Sequence, residues 1–133
     1  MPSTEERAFV VRDESSSMRT VFHVSSPAPA DQEHAMVNVL NMLYDETVYE
    51  EGDEVVIVAN GGGGVRMFVE ATASAPDRVE QLREDGVELY ACGNALRGMH
   101  AEDDLLAGVE VAPSGSGALA RLQDEGYGYV KAP

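Results

Sequence analysis

Cys92 is the one cysteine in 133 residues, and it closes an apolar run, Val87-Glu88-Leu89-Tyr90-Ala91-Cys92, that reads as a strand. Gly93-Asn94-Ala95-Leu96-Arg97-Gly98 follows and reads as a turn into a short helix. A thiol at that junction feels the positive end of the helix dipole and the free backbone N–H groups of the first turn. Both favour the thiolate, the form that attacks sulfur and carbon electrophiles. Arg97 is near enough in sequence to add positive charge. A single cysteine excludes an internal disulfide, a Cys-x-x-Cys redox pair and a cysteine-based zinc cluster. Thiol exchange at Cys92 therefore needs a thiol from another molecule. The competing reading is a small buried hydrophobe, which is how free cysteines commonly behave.

Two further loops have the composition of a binding site. Asn60 is followed by four glycines, Gly61 to Gly64, and Pro113-Ser114-Gly115-Ser116 follows another apolar run. Glycines such as Gly61 and Gly62 let a backbone approach an anion closely. The run lacks the Gly-Lys-Ser/Thr ending of a nucleotide loop, and Gly-x-Gly-x-x-Gly would end on Arg66. A tight turn without a ligand is the plainer reading, with Asn60 either orienting a ligand or capping the turn. The histidines add little. His23 lies in a strand and His34 among polar helix neighbours. His100 precedes Glu102, Asp103 and Asp104 in a chain where acids are everywhere, so no metal site is expected.

The elements that must position these loops follow from periodicity. Residues 19–25 read as a strand. Asp31 reads as the cap of a helix of about fifteen residues, whose Met36, Val39, Leu40, Leu43 and Thr47 share one face. Glu54 to Ala59 reads as a strand buried on both faces, and Val65 to Ala71 as a helix. A helix capped by Ser74 carries Val79 and Leu82 inward and ends at Gly86. A helical turn is expected at Glu102 to Leu106, a strand at Gly108 to Ala112, a helix carrying Leu119 and Leu122, and a last strand at Tyr127 to Val130. Alternating strands and helices predict a three-layer α/β/α domain around a five-stranded, mainly parallel sheet with flavodoxin-like layering. In such sheets ligands bind beyond the carboxyl ends of the strands, where all three loops lie. Residues 1–18, acidic and serine-rich, are expected to be an N-terminal extension, and 19–133 the domain.

Composition bounds the function class. Twenty-four acidic residues against nine basic ones give a formal charge of −15, and Lys131 is the only lysine. Such self-repulsion is screened in molar salt, where the Debye length is about 3 Å, so the surface reads as that of a salt-in halophile, archaeal by preference. The alternative is an acidic protein with a charged partner surface. No basic patch is available for nucleic acid. No run is long enough for a membrane span, and the expected location is the cytoplasm.

Several segments together resemble a known family. They are Val21-Phe22-His23-Val24, Val58-Ala59-Asn60-Gly61, Ala91-Cys92-Gly93-Asn94-Ala95-Leu96-Arg97, Gly108-Val109-Glu110-Val111-Ala112-Pro113-Ser114-Gly115 and Arg121 to Val130. In this order they resemble the DsrE/DsrF-like family of small sulfur-relay proteins, in its stand-alone single-domain branch, from about residue 19 onward. The resemblance implies a five-stranded parallel sheet between helices and assembly as trimers or hexamers. It also implies that Cys92 accepts sulfane sulfur as a persulfide and yields it to a partner thiol, with no dissociable cofactor. Gly93 and Asn94 would stabilise the charged persulfide, and Asn60 would face it. Two readings compete with this sulfur carrier. One is a small-molecule or anion-binding module using the glycine loop with Ser114 and Gly115; the other is a non-catalytic homo-oligomeric subunit.

Overall fold

The computed structural model describes residues 17–133. The extension expected for residues 1–18 therefore lies, up to residue 16, outside the described residues. Met18 is tied to the domain: its N–H donates to Asp53 Oδ1 at 2.9 Å, and its carbonyl accepts from Glu54 N–H at 2.9 Å.

The strands are β1 (Arg19–Val24), β2 (Glu54–Ala59), β3 (Glu88–Cys92), β4 (Val109–Ala112) and β5 (Gly128–Lys131). The helices are α1 (Pro29–Leu43), α2 (Gly61–Gly64), α3 (Pro76–Glu84), α4 (Gly93–Met99) and α5 (Gly115–Asp124), with a 3₁₀ turn at Val65–Phe68 after α2. All pairings are parallel, in the order β4-β3-β2-β1-β5, so the expected mainly parallel sheet is wholly parallel. Residues 55–59 of the central strand are all buried, as a sheet covered on both faces requires.

Strand order explains the layers. From β1 to β4 the chain steps steadily in one direction, and right-handed crossovers then keep the intervening helices on one face. The step from β4 to β5 reverses direction and carries α5 to the opposite face. The core divides accordingly. Phe22, Val24, Ile57 and Leu89 pack with Met36 and Val39 of α1, Phe68, Leu82 of α3 and Leu96 of α4. Val21, Val56 and Val58 pack with Leu119 of α5 and Tyr127. The loops leaving β3 and β4 thus diverge to opposite faces, and the crevice between them is the place where such sheets take ligands. Cys92 pairs with Ala112 across it.

Local chemistry shifts several boundaries from those expected. Helix α1 starts at Pro29, whose missing N–H costs nothing in a first turn. Asp31 sits inside that turn and accepts from Ser26 Oγ at 2.7 Å, so it is not the cap. The helix ends at Leu43, leaving Thr47 beyond it. Helix α3 is capped by Ala75 without a side-chain bond from Ser74. The helix expected over 65–71 begins instead within the glycines and tightens to 3₁₀. Val69 then forms an antiparallel bridge with Leu105, and Leu106 N–H donates to the Phe68 carbonyl at 2.9 Å. That bridge also replaces the helical turn expected at 102–106.

The glycine run is helical because its backbone is pressed against the β1–α1 loop. A Cβ on Gly63 would lie 2.8 Å from the Ser25 carbonyl oxygen and 2.9 Å from Pro27 N, and one on Gly64 would overlap the Val24 carbonyl. Buried Gln32 fastens the contact: its Nε2 donates to Ser26 O at 2.9 Å and Gly63 O at 3.1 Å.

Candidate functional site

Cys92 ends β3, occupies the capping position of α4 and is 5% exposed. The first turn of any helix leaves N–H groups without intrahelical partners, and here several of them turn toward one sulfur. Gly115 N–H, at the start of α5, donates to Cys92 Sγ at 3.4 Å. The N–H groups of Ala95 and Asn94 from α4, and of Gly61 from α2, act on it as well. Burial pushes the thiol up, these four N–H groups pull it down, and the balance lies below the ordinary cysteine value. Three loops thus favour a thiolate, or the anion of a persulfide, with no cationic side chain among the described residues acting on the sulfur.

The other expected residues fall into distinct places. Asn60 lies against Gly115: a Cβ there would overlap the Asn60 side-chain oxygen and come 3.1 Å from Cys92 Cβ. Asn60, Gly61, Asn94, Gly115 and Cys92 are therefore brought together. Gly93 is buried and packs under β4, since a Cβ would lie 3.0 Å from Val111 Cγ1 and 3.3 Å from the Ala112 carbonyl oxygen. Gly62 is exposed, with open space around it. Arg97 donates from Nη2 to Asn94 Oδ1 on the exposed side of α4 and is not among the groups acting on the sulfur. Ser114 is the cap of α5, accepting from Gly117 N–H at 3.0 Å. Ala95 was not singled out by its type. Its signal was positional, because the third residue after a strand-end cysteine falls in the first helical turn.

The histidines sit apart from the sulfur. His23 Nδ1 pairs with the Tyr129 hydroxyl at 2.7 Å, while its Nε2 is buried without a hydrogen-bond partner. Burial, and then the charge of Lys131, lower its pKa. His34 is exposed, and His100 ends α4 in the left-handed region, φ 56°. Among the described residues no group of three His, Cys, Asp or Glu side chains is arranged to hold a metal ion. Nor is any helix among them long and apolar enough to cross a membrane.

The fold and site define a class: a small parallel α/β protein whose lone thiol lies in a backbone N–H cradle at a sheet switch point. The chain belongs to the DsrE/DsrF-like family, whose profile matches residues 18–132. It is similar to the solved structure of a protein of unknown function, MTH1491, from Methanobacterium thermoautotrophicum. That match has 32% identity and a TM-score of 0.77, covering 86% of this chain and 99% of the other. The ychN protein from E. coli is 12% identical, with a TM-score of 0.70 over 86% of this chain and 98% of its own, and shares the fold. No curated protein matches the chain.

Proposed function

We propose that this protein is a sulfane-sulfur carrier in which Cys92 is the persulfide-bearing residue. The observation that carries the reading is the convergence of Gly61, Asn94, Ala95 and Gly115 N–H groups on Cys92 Sγ, in a member of the DsrE/DsrF-like family. Such donors favour an anion on sulfur both before and after loading.

The exchange is balanced without an external oxidant. Cys92 thiolate attacks the outer sulfur of a donor persulfide, R–S–SH, forming Cys92–S–SH and releasing R–S⁻. An acceptor thiolate then attacks the outer sulfur of Cys92–S–SH, restoring Cys92 thiolate and leaving with the persulfide. One cysteine suffices because both handovers are intermolecular. In this reading the working protein is a cytoplasmic homo-oligomer, a trimer or hexamer, that meets donor and acceptor thiol proteins. The module reading draws less support: Ser114 is committed to capping α5, and Gly63 and Gly64 to packing.

The test is intact mass after reduced protein in molar salt is incubated with a persulfide donor. Wild type should gain one sulfur atom and Cys92→Ser none. Gain on both, or on neither, would overturn the carrier reading.

A further inference from the structure

The face of the sheet covered by α5 carries a second feature. Only ten residues long, α5 spans about 15 Å, and it leaves a groove of about 460 Å³ between itself and β2, β3 and β4. Apolar groups, among them Val56, Ala118 and Leu122, line the groove.

Two tyrosines and their carboxylates shape the walls. Tyr127 hydroxyl donates to Glu54 Oε1 at 3.0 Å, and Tyr90 hydroxyl donates to Glu88 Oε1 at 3.2 Å. Glu110 also faces the Tyr90 hydroxyl. Burial first, and then these carboxylates, push both phenols up to about 12, so they stay neutral donors that orient the acids. Glu125 adds a further carboxylate, and Arg121 is the one cationic side chain on the lining among the described residues. The aromatic wall already receives a cation from the protein itself: the Arg19 guanidinium carbon lies 5.4 Å from the Tyr127 ring centroid.

We propose that this groove is a docking site for a basic polypeptide segment of a partner protein. An arginine side chain of that segment would lie along Tyr90 between Glu54 and Glu88, with its apolar neighbours on Ala118 and Leu122. Charge complementarity selects this occupant over a second copy of the chain, which has 24 acidic residues against nine basic ones. A guanidinium also matches oriented carboxylates and an aromatic face together. The groove reaches Ala112 and Pro113, three residues or fewer before the Gly115 N–H that touches Cys92, so a segment seated there passes beside the thiol's loop. The proposal stands on the groove and not on chemistry at Cys92.

The test uses two fluorescein-labelled nonapeptide libraries, one with arginine and one with glutamate fixed at the centre, read by anisotropy against the full chain. In 1 M KCl the diffuse attraction of a −15 surface is screened within about 3 Å, so a seated cation is what remains. The arginine library should bind at least tenfold more tightly than the glutamate library. The variant Glu54→Gln/Glu88→Gln, whose amides still accept from the tyrosines, should lose that preference. The variant Glu70→Gln/Glu84→Gln, equal in net charge and outside the groove, should keep it within twofold. Absence of the preference in wild type, or equal loss in both variants, would overturn the proposal. So would an assembly that ignores both libraries and falls to a smaller mass on Ala118→Glu, which would put a second copy in the groove.

Discussion

At the scale of single residues, the behaviour of Cys92 depends on atoms that no side-chain inventory contains. Gly115 N–H donates to the sulfur, the N–H groups of Gly61, Asn94 and Ala95 also favour its anion, and their geometry depends on what stands beside them. Gly115 is the sensitive point. A methyl group there would collide with the Asn60 side-chain oxygen and crowd Cys92 Cβ, and a shift of residue 115 away from both would draw its N–H off the sulfur. Gly115→Ala should therefore slow alkylation of Cys92 at neutral pH by roughly three- to tenfold, the worth of one hydrogen bond, with an unchanged circular dichroism spectrum. An unchanged rate would remove Gly115 from the cradle. The wild-type rate should rise with pH to a midpoint below that of an ordinary cysteine thiol. The linked stability has a definite sign. Because the folded thiol is the stronger acid, its contribution is complete above the unfolded pKa and is lost as pH falls through the folded one. Sequence position alone places Cys92 at a strand end before a helix. Of the two N–H groups expected there, that of Asn94 acts on the sulfur and that of Gly93 does not, whereas Gly61 and Gly115 are brought there by strand pairing and not by nearness in the chain.

At the scale of elements, the glycine helix is the instructive case. Glycine is a poor helix former, costing about 1 kcal/mol per residue relative to alanine, so four in a row read as a turn. Close packing on the Ser25–Pro27 loop overrides that preference, since a side chain at residue 63 or 64 has nowhere to go. Gly64→Ala should cost about 2 kcal/mol in urea unfolding through overpacking on the Val24 carbonyl. Gly62→Ala, with open space around it, should be neutral or stabilising by about 0.5 kcal/mol. Equal effects at the two positions would remove the packing account. The strands were legible because their apolar runs are bounded by Gly, Pro and Asp. The Val69–Leu105 bridge was not, because two residues thirty-six apart pair without any periodicity of their own.

At the scale of the whole molecule, net charge sets the conditions under which the fold is stable. If the acidic surface is an adaptation to salt, raising KCl from 0.1 to 2 M should raise the melting temperature by about 10 °C in scanning calorimetry, as screening relieves the self-repulsion of a −15 chain. A flat or falling profile would leave partner binding as the reason for the acids. Layering and strand number followed from the alternation of elements, whereas the order β4-β3-β2-β1-β5 did not, since alternation fixes no direction of travel. That order also has a consequence in time. During synthesis, β1 to β4 emerge in the sequence in which they pair, each laid beside the one before it. The strand β5 must instead return to β1 across more than a hundred residues, pairing Thr20 with Gly128 and His23 with Lys131. Long-range closure of this kind is slow. The free flank of β1, and the sheet face that α5 will cover, therefore stay open until α5 and β5 have left the ribosome, and the nascent chain needs protection there for longest.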